Sequence, residues 1–374
     1  MAKGIEKEKD LLDRYSSGVI FVDGYTCFYD KNYNALIAEY RPENPTSYLK
    51  VPTQICDDDS RIYKINAIGS TAFFTGIELE TVEIPEGIEI IGDMAFVELK
   101  KLKTVIMADS VKEVGEKAFS GCENLTTIKL SNSLKKISNS AFFSCERLET
   151  IVLPDGVEEI EETAFGLCYK LADLILPLSL KRIGKRAFTH CDRLQSIYIP
   201  SRVEYISPDA FQGCDVFVGI EVDPSNEKFY SAQNCVIARG SNKLIMGANG
   251  SVIPHGVTEI ADKAFYGQHK IKGMSIPSSV TRIGNEAFSN CYGLCDIFIP
   301  ESVIEMGNLV FDDCFGAHLY CKAHRIPDGW SKNLGVKPER IKLNSSDTPY
   351  TEMHEPKKPR ESIFKKIKRL FSKK

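Results

Sequence analysis

Apolar positions in this chain return at one fixed interval, the distance from Phe96 to Phe119. The period is marked by an Ala-Phe pair at Ala72-Phe73, Ala95-Phe96, Ala118-Phe119, Ala141-Phe142, Ala164-Phe165, Ala187-Phe188 and Ala210-Phe211. After one longer gap the pair resumes at Ala264-Phe265 and Ala287-Phe288 and ends in a degenerate Val310-Phe311. Other positions keep a fixed distance from each Phe. Cys comes three residues on (Cys122, Cys145, Cys168, Cys191, Cys214, Cys291, Cys314) and Leu six on (Leu102, Leu125, Leu148, Leu171, Leu194). Two aliphatics stand nine and eleven on, as in Ile128/Leu130, Ile151/Leu153 and Ile197/Ile199, often followed by Pro (Pro85, Pro154, Pro177). A second apolar pair three residues apart comes next (Val111/Val114, Leu134/Ile137, Val157/Ile160), and then often Gly (Gly92, Gly115, Gly184). A fixed period of roughly 20–50 residues identifies a stacked array, each unit burying its apolar face on its neighbours.

The spacing also predicts the elements of one unit. Aliphatics at i and i+2 make a short strand with both side chains on one face. Pro ends that strand because it has no N–H for the ladder. The second apolar pair makes another extended segment. Gly is expected to permit a sharp bend into a short helical turn that carries Ala-Phe inward. Strands repeated in this way should stack as parallel ladders at roughly 4.8 Å per coil, with the Phe rings in one inner column.

The flanks have a different texture. Residues 1–16 are charged with sparse apolar positions and suit a short helix. From Gly18 to about Lys64, β-rich runs broken by Asp-Gly, Asn and Pro suggest an N-terminal cap over 1–64. The array then spans 65–320, with an interruption at about 223–253 where NCVIA and LIMGAN read as strands around a Gly-Ser-Asn turn. A C-terminal cap over 321–343 contains Trp330, the only Trp, and 344–374 read as a polar, disordered linker with a basic tail.

The repeat written as C-x-x-L-x-x-I-x-L-P-x-x-(V/L)-x-x-I-(G)-x-x-A-F resembles the leucine-rich repeat of the BspA-like, or Treponema-type, class over residues 65–320. The resemblance implies a repeat solenoid: a mainly β leucine-rich repeat with stacked parallel β-ladders and 23-residue coils, capped at both ends. It also implies that the array binds other macromolecules and that relatives are often surface adhesins.

Charge narrows the partners. The chain has a net charge of −4, but residues 357–374 hold nine Lys/Arg and one Glu. The remainder is therefore acidic, and no nucleic-acid surface is expected on it. The N-terminus lacks the apolar core of a signal peptide, and no run of 18 apolar residues follows. Seven cysteines in one inward column read as reduced thiols filling a wall. Together these observations predict a cytoplasmic protein, peripheral at a membrane if the tail holds one.

No Ser/His/Asp arrangement, HExxH, P-loop or G-x-G-x-x-G is present, so neither an enzyme nor a cofactor is expected. Asp57-Asp58-Asp59 read as solvated loop charges rather than a calcium site. Cys314, His318, Cys321 and His324 have metal-like spacing but fit a cap with incidental His and Cys better than a zinc site. Charges between successive coils, such as Glu158-Glu159 and Lys181-Arg182, read as a solvated ladder.

Two candidate contact sites remain. Ten residues after each Phe lies an outward strand position, and Ile106, Val152, Ile175 and Tyr198 occupy it. They are expected to form an exposed apolar stripe for a protein partner. In the tail, Ile363, Phe364, Ile367, Leu370 and Phe371 fall on one arc of a helical wheel, and Lys365, Lys366, Lys368 and Arg369 fall elsewhere. Residues 361–374 thus suit an interfacial helix on an anionic membrane surface. The leading expectation is a non-enzymatic protein-binding scaffold. The alternative is a surface adhesin exported without a visible signal peptide.

Overall fold

The computed structural model of the protein describes residues 9–75 and 78–346. The basic tail, with Ile363 to Phe371, lies outside the described residues. The chain divides into two compact units, Met1–Cys191 and Asp192–Lys374.

The first unit opens with a helical stretch over 9–14. β1 (Gly18–Val22), β2 (Tyr25–Tyr29) and β3 (Asn34–Tyr40) follow as an antiparallel meander. β1 and β2 are joined by Asp23-Gly24, with φ of 49° and 80°, so both loop residues are left-handed as a two-residue hairpin demands. β4 (Tyr48–Lys50), β5 (Gln54–Cys56) and β6 (Ile62–Ile68) complete the entry to the array. β3 pairs in parallel with β6, and β6 with the short repeat strand at Ile90–Ile91. The open edge of the array is therefore continued by sheet rather than exposed to water.

The repeats contribute two strands per coil. β7 (Thr81–Ile84), β9 (Thr104–Met107) and β11 (Thr127–Lys129) form the parallel sheet β4-β7-β9-β11. β8 (Ile90–Ile91) and β10 (Glu113–Val114) extend the sheet β1-β2-β3-β6-β8-β10. β12 (Lys136–Ile137), β14 (Glu159–Ile160) and β16 (Arg182–Ile183) pair in sequence, as do β13 (Thr150–Val152) and β15 (Asp173–Ile175). Every pairing between these repeat strands is parallel and joins residues one full repeat apart, for example Thr104↔Thr127 and Val152↔Ile175.

The Ala-Phe turn is not helical, which corrects the expected helical turn. Two left-handed residues bracket most of these Phe residues, such as Met94 and Glu98 around Phe96 with φ of 55° and 58°. The backbone N–H groups of Met94, Phe96 and Glu98 donate to the carbonyls of Glu116, Ala118 and Ser120 in the next coil, at 2.8, 2.8 and 2.7 Å. A left-handed non-glycine costs about 1–2 kcal/mol; here the hydrogen bonds to the next coil offset it. The repeat glycine also has another purpose than the one expected. A Cβ on Gly115 would lie 2.5 Å from Asp93 Oδ1 and 2.6 Å from Asp93 N. Glycine is needed there because the preceding coil passes too close for a side chain, not because φ is positive.

Inside, the rings of Phe73, Phe96, Phe119, Phe142, Phe165 and Phe188 stack in one column. Their centroids are 4.7–5.7 Å apart and their planes within 11° of parallel. Tyr40 of β3 stands at the head of the column, 5.4 Å from Phe73. Each cysteine of the neighbouring column donates its thiol to the Phe carbonyl one coil back. Cys122 reaches Phe96 at 3.2 Å, Cys145 reaches Phe119 at 3.3 Å and Cys168 reaches Phe142 at 3.2 Å. These thiols are donors as well as wall residues.

The second unit begins with β17 (Ser196–Ile199), β18 (Tyr205–Ile206) and β19 (Gly219–Val222), of which β17 and β19 pair in parallel. β20 (Phe229–Ala232), β21 (Cys235–Ala238) and β22 (Lys243–Gly247) then form an antiparallel meander. β22 pairs in parallel with β23 (Glu259–Ile260), returning the chain to the repeat. Gly247 makes the join possible, because a Cβ there would sit 2.1 Å from the ring of Phe265. β24 (Gly273–Ser275), β25 (Arg282–Ile283), β26 (Asp296–Ile299), β27 (Glu305–Met306), β28 (His318–Cys321), β29 (Gly329–Trp330) and β30 (Ile341–Lys342) complete the sheets β20-β21-β22-β23-β25-β27-β29 and β24-β26-β28-β30. Trp330 is 6% exposed and donates Nε1–H to the Val303 carbonyl at 3.0 Å, closing the apolar core behind the last coils.

Candidate protein-binding face

Alternation along the repeat strands decides what faces out. In β9, Val105 and Met107 are buried, whereas Thr104 and Ile106 are turned away from the core. Register then aligns the outward residues in rows. One row runs Tyr48, Thr81, Thr104, Thr127; the other runs Lys50, Glu83, Ile106, Lys129. In β13 and β15 the same two positions hold Thr150 beside Asp173 and Val152 beside Ile175.

The apolar members of the second row differ in exposure. Val152 is 82% exposed, Ile106 is 37% exposed, and Ile175 is half-buried. Side-chain exposure of this size on a β-branched residue is not explained by packing within the sheet. The row is bordered by threonines and by paired charges, among them Lys103–Glu80 at 2.8 Å and Lys101–Glu78 at 2.6 Å. The row is not continuously apolar: Lys129 stands between Ile106 and Val152, and only Val152 and Ile175 are apolar neighbours in register.

Tyr198 does not join that exposed set. It is 5% exposed, and its hydroxyl donates to Asp223 Oδ2 at 2.7 Å. Burial, with the Asp223 carboxylate beside it, pushes the phenol pKa well up. The expected exposure fails because Asp223 follows directly after β19, whose Glu221 lies in register with Tyr198.

Sequence reasoning passed over a second outward group, in the second unit. Phe298 and Tyr320 are cross-strand neighbours on β26 and β28, with rings 5.0 Å apart, and the Lys342 ammonium lies 4.5 Å from the Tyr320 centroid. Phe298 stands ten residues after Phe288, so the same spacing finds it once the count is carried past the interruption. Tyr320 stands nine after Phe311, because the last coil is one residue shorter. At the turns, His269, Tyr292 and Phe315 stack in a further column at 4.7 and 6.0 Å, with Phe315 68% exposed.

The remaining candidates are dispersed or already engaged. Cys314 is buried and donates to the Phe288 carbonyl at 3.0 Å, while His324 Nδ1 pairs with Asn344 Oδ1. Among the described residues no group of three or more His, Cys, Asp or Glu is placed to hold a metal. Asp57 accepts hydrogen bonds from the backbone of Asp59 and Arg61 and from the Tyr63 hydroxyl, which fix its loop. The charge ladder forms between coils, Lys181–Glu158 at 2.7 Å and Arg182–Glu159 at 3.1 Å. Its members are about half exposed, so each pair contributes tenths of a kcal/mol.

No disulfide joins any of the twelve cysteines. Burial pushes the thiols of Cys122 and Cys168 up to about 12 and that of Cys145 well above the ordinary value. At neutral pH they are protonated and poor nucleophiles.

Stacked parallel coils, one per repeat, with this inner Phe and Leu pattern define a leucine-rich-repeat solenoid. The sequence profile of the BspA type leucine rich repeat region matches residues 66–173, 117–235 and 248–321, more than half of the chain, and the protein belongs to that family. No curated protein matches the chain. Among solved structures, a leucine rich cell surface protein from Faecalibacterium prausnitzii is 25% identical with a TM-score of 0.68, over 88% of this chain and 96% of its own. A leucine-rich repeat protein from Bacteroides ovatus is 24% identical with a TM-score of 0.63, over 87% and 90%. The pneumococcal vaccine antigen PcpA shares the fold at 17% identity and a TM-score of 0.58, over 88% of each chain.

The expected cytoplasmic location does not stand against the family and the Faecalibacterium match. The physical weakness lay in the cysteine argument. Thiols shut into a core with raised pKa values resist oxidation wherever the protein resides, so their number carries no information about compartment.

Proposed function

We propose that this protein is displayed at a cell surface, where it acts as a non-enzymatic scaffold binding a protein partner through the outward face of β9, β11, β13 and β15. The observation that carries this reading is Val152, 82% exposed on a parallel ladder and in register with Ile175. A surface role is supported by the family and by the cell surface protein from Faecalibacterium. A rigid ladder suits binding because little backbone entropy is lost on contact. The tail adds a finer element resting on sequence pattern alone: residues 361–374 give a second contact, to an anionic lipid surface.

The test uses the full chain as bait against secreted and surface proteins, beside the Val152→Asp variant. The specific partner should be lost from the variant while thermal unfolding stays unchanged. Equal capture by both proteins would remove the face from the proposal. Protease treatment of intact cells tests location separately: the protein should be cleaved without lysis.

A further inference from the structure

We propose that the outward face of β24 and β26 holds an arginine side chain of a protein partner, its guanidinium stacked on Phe298 and paired with Asp296. This contact lies outside β9–β15, rests on its own residues and has its own test. Phe298 and Tyr320 are cross-strand neighbours whose rings stack at 5.0 Å with planes 19° apart. Their faces therefore point along the ladder, from strand to strand, and only their edges point outward. The outer face of Tyr320 is taken. Lys342, its cross-strand neighbour on β30, sets its ammonium 4.5 Å from the ring centroid. The outer face of Phe298 is turned to β24, the last strand of the sheet on that side.

What β24 sets there is small. Ser275 stands opposite Phe298, and Gly273 stands opposite Asp296. One hydroxyl cannot cover a six-membered ring, and among the described residues no other ring and no cation lies on that face. Asp296 shares the outward side of β26 with Phe298, and both are half-buried. Among the described residues no hydrogen bond or ion pair engages the Asp296 carboxylate or the Ser275 hydroxyl. Lys272, the residue before β24, does not pair with Asp296, and neither does His318, which stands opposite it on β28.

Charge selects the occupant. The face of an aromatic ring is negative, and the charged group beside it is a carboxylate without a partner, so the spot attracts cations and repels anions. A neutral sugar or an apolar side chain seated there would strip water from Asp296 and supply no counter-charge. Between the two cationic side chains the geometry favours arginine. Its guanidinium is planar, stacks flat on a ring, is weakly hydrated and carries only donors, in a fork that matches a carboxylate. The lysine ammonium is compact and strongly hydrated. The sheet already contains this arrangement once, because Lys342 bears to Tyr320 the cross-strand relation that Ser275 bears to Phe298. At one end of the ring pair the chain supplies the cation. At the other it supplies a serine, and beside it an unpaired acid.

Saturation-transfer NMR on the full chain, with N-acetyl-arginine methylamide as the probe, is the experiment. The lysine and citrulline analogues are measured beside it, citrulline having the same shape without the charge. The arginine probe should bind with a dissociation constant on the order of 10 mM, the lysine probe more weakly and the citrulline probe not measurably. Asp296→Asn and Phe298→Leu should each weaken the arginine probe roughly two- to five-fold. Asp328→Asn, which neutralises a side chain 91% exposed outside this face, should leave binding unchanged. Ser275→Arg sets a guanidinium opposite Phe298 from within the chain, and should abolish binding while Phe298 and Asp296 remain in place. Thermal unfolding of each variant checks that the fold is retained. No saturation transfer from the wild type at about 20 mM arginine probe, full binding by Asp296→Asn, or binding that survives Ser275→Arg overturns the proposal. Equal binding of the lysine probe overturns the choice of arginine, and equal binding of the citrulline probe assigns the ring to a neutral planar ligand instead.

Discussion

Removing one ring from the middle of the Phe column tests whether that column holds the array together. Phe165 is fully buried and stacks on both sides, 5.5 Å from Phe142 at 11° and 5.6 Å from Phe188 at 5°. In Phe165→Ala, lost burial costs about 1.5–3 kcal/mol, and each lost ring contact adds about 0.5–1.5 kcal/mol. The total is about 4 kcal/mol, inside the range of about 3–5 kcal/mol for Phe→Ala in cores. Neighbouring rings cannot close the gap, because each is fixed by its own coil through bonds such as Phe142 N–H to the Ala164 carbonyl at 2.9 Å. Urea unfolding of the full chain, followed by circular dichroism, is the assay. Repeat arrays lose cooperativity when one interface is weakened, so hydrogen exchange should accompany it and show the loss centred on the coils around residue 165. Phe74→Ala serves as control: Phe74 is 57% exposed, and its removal should change stability by at most about 0.5 kcal/mol. A loss below about 1 kcal/mol in Phe165→Ala, with the same urea dependence, would refute the argument that the stacked column is a principal source of stability.

The thiols should behave as two classes: in native protein only Cys56 and Cys295 should react with an alkylating reagent, and all twelve should react after denaturation without reductant. Because burial raises the folded-state pKa of Cys27, Cys122, Cys168, Cys235 and Cys321 to about 12 from the ordinary 9.0, the unfolded chain releases these protons first. Stability should accordingly be intact below pH 9 and fall as pH rises towards 12, measurable as a declining melting temperature. Gly247→Ala should destabilise the second unit by about 1–3 kcal/mol, read by thermal unfolding, since its Cβ would collide with the Phe265 ring. Full-length protein should sediment with anionic but not neutral vesicles, and a chain ending at Asp347 should lose that dependence. Indifference to lipid charge would remove the tail from the functional reading.

The fold was legible because the inward positions are held to the same demand many times over, the Phe ten times and the Cys seven. Phe165 must fill the same space as Phe142, and Cys168 the same space as Cys145, so the demand appears as a period. What stayed hidden were features that no single residue type encodes. The left-handed backbone flanking each Phe is occupied by Met94, Lys117, Ser140, Thr163 and Arg186 in turn. Nothing in that series signals φ above zero, because the conformation is imposed by hydrogen bonds to the next coil rather than by the residue's own preference. The glycines misled for a related reason. Gly115 looks like a hinge in sequence, yet its role is set by Asp93, a neighbour supplied by the preceding coil.

Outward positions follow the opposite rule, and there sequence reasoning reached only part of the candidate site. The period says which residues leave the core; it does not say what else lies over them. Val152 and Tyr198 hold the same repeat position, yet one is 82% exposed and the other 5%. The difference is Asp223, brought to the Tyr198 hydroxyl by the loop after β19, at the point where the array is interrupted. A departure from the repeat thus changes exposure in coils whose own sequence is regular. The same reasoning explains the edge of the sheet. β1 belongs to no repeat, so no period constrains Val19 or Phe21, and their exposure is visible only once the hairpin places β1 outermost. In a repeat protein the interior is written many times and the surface once. The residues that distinguish this chain from others of its family are therefore to be sought at the cap, at the interruption and along the outward rows, where the period has no hold.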